Sequence, residues 1–255
     1  MLRSYARILR DKANFAFFKL QTLFSNKEPF ECPICGYLGP FMDLRAVAGP
    51  RRHAKCPKCG ALERHRLQYA VVKNVLRTRN PTAMKMLHFA PEPAFRPLFA
   101  RQFKEYTTAD LEMKDVDYNI DMRNLPFDDG SYDFVFASVV FDYIPDDERA
   151  IKEVRRVLGP NGIAILPVSL VGDKTVEYSE PNPYESYHVR ACGMDYFERY
   201  ERYFSKVERI SSESVPNKYQ PFIYEDRSLW PNAEHPLRSP MHGGKHVDVV
   251  PICYV

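Results

Sequence analysis

Phe134-Val-Phe-Ala-Ser138, Asp146-Asp-Glu-Arg-Ala-Ile-Lys-Glu-Val-Arg-Arg-Val-Leu-Gly-Pro-Asn-Gly162 and Ile163-Ala-Ile-Leu-Pro-Val168 read as strand, helix and strand. The outer runs are short, apolar and unalternating, as strands covered on both faces are. Between them Asp146 or Asp147 offers an N-cap, and Ile151, Val154 and Leu158 share one helical face. Gly159-Pro160-Asn161-Gly162 then stops the helix. Two parallel strands joined by a crossover helix follow, and with them an α/β fold whose helices cover both faces of a mostly parallel, doubly wound sheet.

The same alternation extends in both directions. Further strands are predicted at 85–90, 105–109 and 116–120. Leu62, Leu67, Val71, Val72 and Leu76 predict a helix over 62–76, ended by Asn80-Pro81. Downstream, 194–204 reads as helix, 206–210 as strand and 246–255 as a last strand interrupted by Pro251. Residues 211–245 are proline-rich and yield no readable element.

Ahead of the sheet stand Cys32-Pro-Ile-Cys35-Gly36 and Cys56-Pro-Lys-Cys59-Gly60. A two-residue gap lets both thiolates of each pair face one ion, and the glycine relieves the turn. A closed four-sulfur structural Zn2+ site on Cys32, Cys35, Cys56 and Cys59 is expected, in a ribbon that lacks an apolar core of its own. Redox or disulfide-forming CxxC pairs are the competing reading. The expected organisation is a basic amphipathic segment over 1–28, the ribbon over 29–62, a linking helix over 63–82 and the main domain over 83–255.

The 255 residues, 45% apolar and 13% aromatic, suffice for a full core, and disorder is excluded as the default. Net charge is only +3, but lysines and arginines crowd the first eighty residues. Paired cysteines and the lack of a long apolar run suggest a cytoplasmic protein. Arg3, Arg7, Arg10, Lys12 and Lys19 alternate with Leu2, Tyr5, Leu9, Phe15, Phe18 and Leu23, which fits a helix docked on its own domain or in peripheral contact with a membrane through residues 1–24. Arg51, Arg52, His53, Lys55, Lys58, Arg64, His65 and Arg66 suggest a basic surface for phosphates, with nucleic acid ranked behind a small molecule as partner.

In an open parallel sheet, ligands lie beyond the carboxyl ends of the strands. Asp110 follows the second predicted strand, where a carboxylate can accept both hydroxyl protons of a ribose, and Asp121-Met122 follows the third. Here the chain resembles class I S-adenosylmethionine-dependent methyltransferases, of the methyltransferase type 11 kind, in Asp121-Met-Arg-Asn-Leu-Pro-Phe-Asp-Asp-Gly-Ser-Tyr-Asp133-Phe-Val-Phe136 and in Arg156-Val-Leu-Gly-Pro-Asn-Gly162. It looks most like the subfamily in which a cysteine ribbon continues into Leu62-Glu-Arg-His-Arg-Leu67. His88-Phe-Ala-Pro-Glu92-Pro-Ala94 stands where the wider group has a glycine-rich loop, and the ribbon-bearing subfamily characteristically has Ala-Pro-Glu there.

The resemblance implies a Rossmann-like fold with S-adenosyl-L-methionine across the loop after the first strand. Asp110 would hold its ribose, Asp121 its adenine and Glu92 its methionine ammonium, with His88, Phe89, Ala90, Leu111, Met122 and Ser138 completing the cofactor site. Ser138-Val-Val-Phe-Asp142-Tyr143 stands where relatives often show Asn-His-Val-Leu-Glu-His. His188, within a recurring His-Val-Arg, is the candidate catalytic base, and a structural histidine is the other reading. Arg190 is placed to pair with a substrate carboxylate or phosphate. The expected reaction is O-methylation of a small-molecule or glycan-type acceptor, lipid-linked in one form of it. A non-catalytic S-adenosylmethionine-binding relative and a zinc-ribbon RNA-binding or RNA-modifying protein are the alternatives.

Overall fold

The computed structural model describes residues 28–46 and 49–255, so the amphipathic reading of 1–24 lies outside the described residues. Two antiparallel pairs open the chain: β1 (Phe30–Glu31) with β2 (Leu38–Gly39), and β3 (Met42–Ala46) with β4 (Gly49–Lys55). Phe30, Tyr37, Phe41 and Ala61 close around Cys32 and Cys56 in a small buried cluster. The expectation that this region lacks an apolar core is thereby corrected: aromatic side chains supply one where the periodicity is too short to show it.

Helix α1 (Glu63–Val75) follows, then β5 (Lys85–Phe89), α2 (Arg96–Gln102), β6 (Glu105–Asp110) and the short β7 (Tyr118–Asn119). Next come β8 (Tyr132–Ala137), α3 (Asp147–Val157) and β9 (Leu158–Ile165). A separate small sheet is built from β10 (Leu170–Gly172), β11 (Val176–Asn182) and β12 (His188–Gly193) in the order β10-β12-β11. Helix α4 (Phe197–Glu201), β13 (Lys206–Ser211) and β14 (Val249–Tyr254) complete the chain.

The main sheet has seven strands in the order β13-β14-β9-β8-β5-β6-β7. The five strands from β7 to β9 are mutually parallel, and β14 runs antiparallel to both its neighbours. Alternation along the strands sends Met86, Phe134, Phe136, Ile163 and Ile165 to one face, where α1 and α2 pack. Leu87, Phe89, Val135, Ala137 and Ala164 go to the other, against α3 and α4. The chain is therefore doubly wound, as predicted.

Several boundaries differ for local reasons. The Asp117 carboxylate accepts from the Thr108 amide at 2.8 Å and hydroxyl at 2.7 Å, so a side chain replaces strand pairing and β7 shrinks to two residues. Gly159 to Gly162 form a register shift inside β9, with Tyr132 opposite Leu158 and Phe134 opposite Ile163, and do not lie outside the strand. The segment predicted helical over 194–204 is a 3-10 turn followed by the five-residue α4. Pro251 lies opposite Arg209 within β14, one residue beyond the pairing with β9, so its missing N–H breaks no bond of that ladder. Among the described residues, no helix is long and apolar enough to cross a membrane.

One side chain joins the ribbon, α1 and the segment after β13. Arg66, fully buried, donates from Nη1 to the carbonyls of Ala54 (2.9 Å) and Ala61 (3.0 Å), from Nε to Tyr219 (2.8 Å), and from Nη2 to Gln220 (2.9 Å) and His53 (3.2 Å). Its guanidinium also lies 4.2 Å from the Phe41 ring centroid. Burial lowers its pKa to about 10, with Glu63 opposing the fall, so it stays cationic at neutral pH. Arg66→Leu strands five carbonyl acceptors at once; urea unfolding should show a loss of about 3–5 kcal/mol, and a loss under about 1 kcal/mol would contradict the clamp.

Candidate active site and metal centre

Parallel register aligns the strand ends. Phe89 lies beside Ala109 on one side and Ala137 on the other, so Ala90, Asp110 and Ser138 form a row beyond the carboxyl edge of β5, β6 and β8. Ala90 leaves β5 in a left-handed conformation (φ +46°), its amide donating to the Ala109 carbonyl at 2.9 Å. Asp110 Oδ1 accepts from the amides of Glu112 and Met113, both at 2.8 Å, which fixes the carboxylate at the strand tip. Beside it Leu111 is 64% exposed, a large apolar side chain on an edge suited to an aromatic base.

The remaining predicted cofactor residues are placed differently. His88 is enclosed by Phe99, Tyr106 and Phe136, its Nδ1 2.8 Å from the Tyr106 hydroxyl and its Nε2 2.9 Å from Glu92 Oε2. Its side chain and that of Phe89 face the core, a correction that follows from strand alternation. His88 acts as a strut for Glu92. Burial disfavours the Glu92 charge, but the bond from His88, together with the neighbouring histidine charges and a backbone bond, outweighs it and holds the carboxyl below its usual range. Asp121 is gripped by Arg123, whose Nε reaches both carboxylate oxygens at 3.0 Å, so part of its acceptor capacity is already taken up within the chain. Met122 is buried in the core, and Ser138 is buried at the end of β8.

After Ser138 the chain turns through Val139, held at φ +55° where its N–H donates to the Pro167 carbonyl (2.8 Å). A β-branched residue rarely adopts this conformation. Val139, Val168 and Ser169 open into a cavity of about 230 Å³ whose far side carries His188, at the start of β12. Two left-handed residues, Ser186 and Tyr187, make the turn that aims it. The His188 side chain is 12% exposed, packs edge-on against Tyr143 and keeps Nδ1 3.8 Å from Asp142 Oδ1, an ion-pair separation longer than a hydrogen bond. Asp142 is fully buried and accepts from the Ser169 amide at 3.0 Å. Burial lowers the pKa of His188 while Asp142 opposes this, and burial raises Asp142 while His188 opposes that.

Sequence reading left His188 without a partner. The available signal was an acid within the apolar run Val139 to Tyr143. It also offered Arg190 to a substrate, which the structure corrects: Arg190 is buried, bound by Glu177 (3.0 Å) and by the carbonyls of Phe141 and Pro145. The largest omission is the segment after β13. It bridges to the ribbon through Arg52 and Tyr224, and its Ile223, Glu225, Arg227, His235 and Arg238 wall the cavity.

In the ribbon, each knuckle repeats one geometry. The Gly36 and Gly60 amides donate to the Cys32 and Cys56 carbonyls at 2.9 Å, both glycines left-handed. The four Sγ atoms lie within 4.8 Å of one another, Cys32 to Cys59 at 3.6 Å and Cys35 to Cys56 at 3.7 Å, and none is in a disulfide. A tetrahedral ion with metal–sulfur bonds of 2.3 Å separates its ligands by about 3.8 Å, so the set fits a closed thiolate centre. The predicted basic surface is thinner than expected. Arg66 is internal, Arg51 pairs with the buried Glu63 at 2.7 Å, and His65, its Nδ1 accepting the Leu62 amide, is held by burial at a pKa of about 4 and is neutral. Arg52, Lys55 and Lys58 remain exposed.

Comparison with known proteins places residues 88–166 in a family described as a methyltransferase domain. A sterol 4-C-methyltransferase of Caenorhabditis elegans is 36% identical over 78 residues, 29% of this chain and 22% of that protein. A demethylmenaquinone methyltransferase of Staphylococcus epidermidis is 44% identical over 45 residues, 18% of this chain and 19% of that protein. The chain thus spans about a fifth of the length of the curated relatives it matches. A solved S-adenosylmethionine-dependent methyltransferase of Mesorhizobium loti superposes with a TM-score of 0.48 at 13% identity, covering 73% of this chain and 97% of that one. Residues 88–166, which carry the strand-end row, thus match a methyltransferase-domain family, and the cavity lies beside that row.

Proposed function

We propose that the chain transfers a methyl group from S-adenosyl-L-methionine to a hydroxyl of a small-molecule acceptor, with His188 taking the hydroxyl proton. The observation that carries this reading is one cavity joining the end of β8, at Val139, to His188 backed by Asp142. When bound, the cofactor supplies a methyl group on a sulfonium, whose departure as a neutral thioether needs alignment more than acid assistance. Asp110 and the exposed Leu111 suit the adenosine half, and Glu92, held charged by His88, suits the methionine ammonium. A neutral His188 accepts the proton as the acceptor oxygen bonds to carbon, and Asp142 steadies the imidazolium that results.

The cavity is smaller than the roughly 300–1,000 Å³ of drug-sized sites, so it holds a compact acceptor or one end of a longer one. Tyr184, 59% exposed at its edge, offers a ring face to a sugar, which supports the glycan-type acceptor expected from sequence, free or lipid-linked. The ribbon we assign to structural Zn2+, since four closely set thiols leave no coordination position open.

Labelled methyl transfer should be seen with hydroxyl acceptors, glycan-type ones included; tight binding of S-adenosylhomocysteine with no transfer to any acceptor would indicate a non-catalytic relative. His188→Ala should reduce kcat about 10²–10⁴-fold with unchanged S-adenosylhomocysteine affinity. The general base works deprotonated and burial lowers its pKa, so kcat should rise with pH along a limb whose midpoint lies below the usual histidine value of about 6.5. Asp142→Asn removes the opposing charge and should move that limb to still lower pH; an unmoved limb would separate the pair functionally. Elemental analysis should find one zinc per chain, lost on Cys→Ser exchange in either knuckle; retention after loss of one cysteine from each would refute a shared site.

A further inference from the structure

Arg64 and Gln68 lie one turn apart on α1, on a common face, and both line the cavity that contains His188. Gln68 is 1% exposed with no partner for the Oε1 end of its amide, which when turned over presents N–H2 donors to the cavity, and Arg64 Nε is likewise buried and unpartnered. From the opposite wall comes His235, buried, its Nδ1 2.7 Å from Glu185 Oε1 and its Nε2 unpartnered. The other cations of the wall are neutralised locally: Arg51 by Glu63 at 2.7 Å, Arg227 by Glu225 at 2.9 Å, Arg238 by Glu185 at 2.7 Å. Among the described residues, Arg64 pairs with no carboxylate. Asp248 also lines the cavity, its carboxyl raised by burial to about 6.

A guanidinium enclosed with no carboxylate in ion-pair contact is costly, and an oxyanion with two or three acceptor oxygens relieves that cost while using the fork geometry of arginine. We propose that Arg64, Gln68 and His235 form an oxyanion subsite, and that the methyl acceptor carries a carboxylate or phosphate group bound there while its hydroxyl faces His188. The acceptor assignment rests on the methyltransferase reading; the anion site itself does not.

The test uses the full-length, zinc-loaded chain saturated with S-adenosylhomocysteine, whose affinity is measured first by calorimetry. Inorganic phosphate and succinate are then titrated, followed by ³¹P and ¹³C line broadening, which separates the phosphate and carboxylate forms of the ligand. At least one should bind the wild-type protein, at least tenfold more weakly after Arg64→Gln and less severely after Arg64→Lys, with zinc content and S-adenosylhomocysteine affinity unchanged. Should Arg64→Gln compromise folding, Gln68→Met and His235→Gln carry the test, each expected to weaken the same anion severalfold. Anion binding that ignores all these substitutions overturns the proposal. So does a parallel loss of S-adenosylhomocysteine affinity in Arg64→Gln, which would assign the guanidinium to the cofactor's own carboxylate. Failure of the wild-type protein to bind S-adenosylhomocysteine while Arg64-dependent phosphate binding persists would strike the methyltransferase reading and leave the oxyanion site standing.

Discussion

The Arg66 guanidinium decides how the chain holds together around its cavity. It sits inside α1 and satisfies carbonyls contributed by β4, by the second cysteine knuckle and by the turn after β13. These segments are separated by as many as 154 residues, and no strand ladder joins them to α1. A buried cation with every donor engaged is directional in a way apolar packing is not, so it sets the position of each carbonyl relative to the helix. Arg64 and Gln68, on another face of the same helix, are thereby aimed at the cavity.

The ribbon consequently serves the site as a wall. Its four closely set cysteines bring two knuckles together beside the small aromatic core around Phe41, and β4 carries Arg51 to the cavity. With Arg66 and Arg51 engaged internally and His65 neutral, the outer basic surface of this region is left to Arg52, Lys55 and Lys58.

Two kinds of chemistry are kept apart by the sheet. The row from Ala90 to Ser138 lies at the ends of parallel strands, where side chains are fixed by register. His188, the base we propose, lies on β12 of the small inserted sheet, and the buried carboxylate of Asp142 beside it follows β8. Val139, strained and tied to Pro167, sits where the two meet.

The amino-acid sequence by itself determined the α/β class, the helix capped at Asp146, the cysteine knuckles and the acids at strand tips, because each depends on spacing within a few residues: unbroken apolar runs, a cap, a CxxC gap. It did not reveal that His88 props Glu92, that Arg123 occupies Asp121, or that Arg190 is saturated, since those outcomes turn on which neighbour is nearest after folding. Pairing Asp142 with His188, and bringing residues 220–246 over the cavity, were decided by tertiary structure alone. Those contacts join positions tens to hundreds of residues apart through hydrogen bonds and buried charge, which leave no period in the sequence to read.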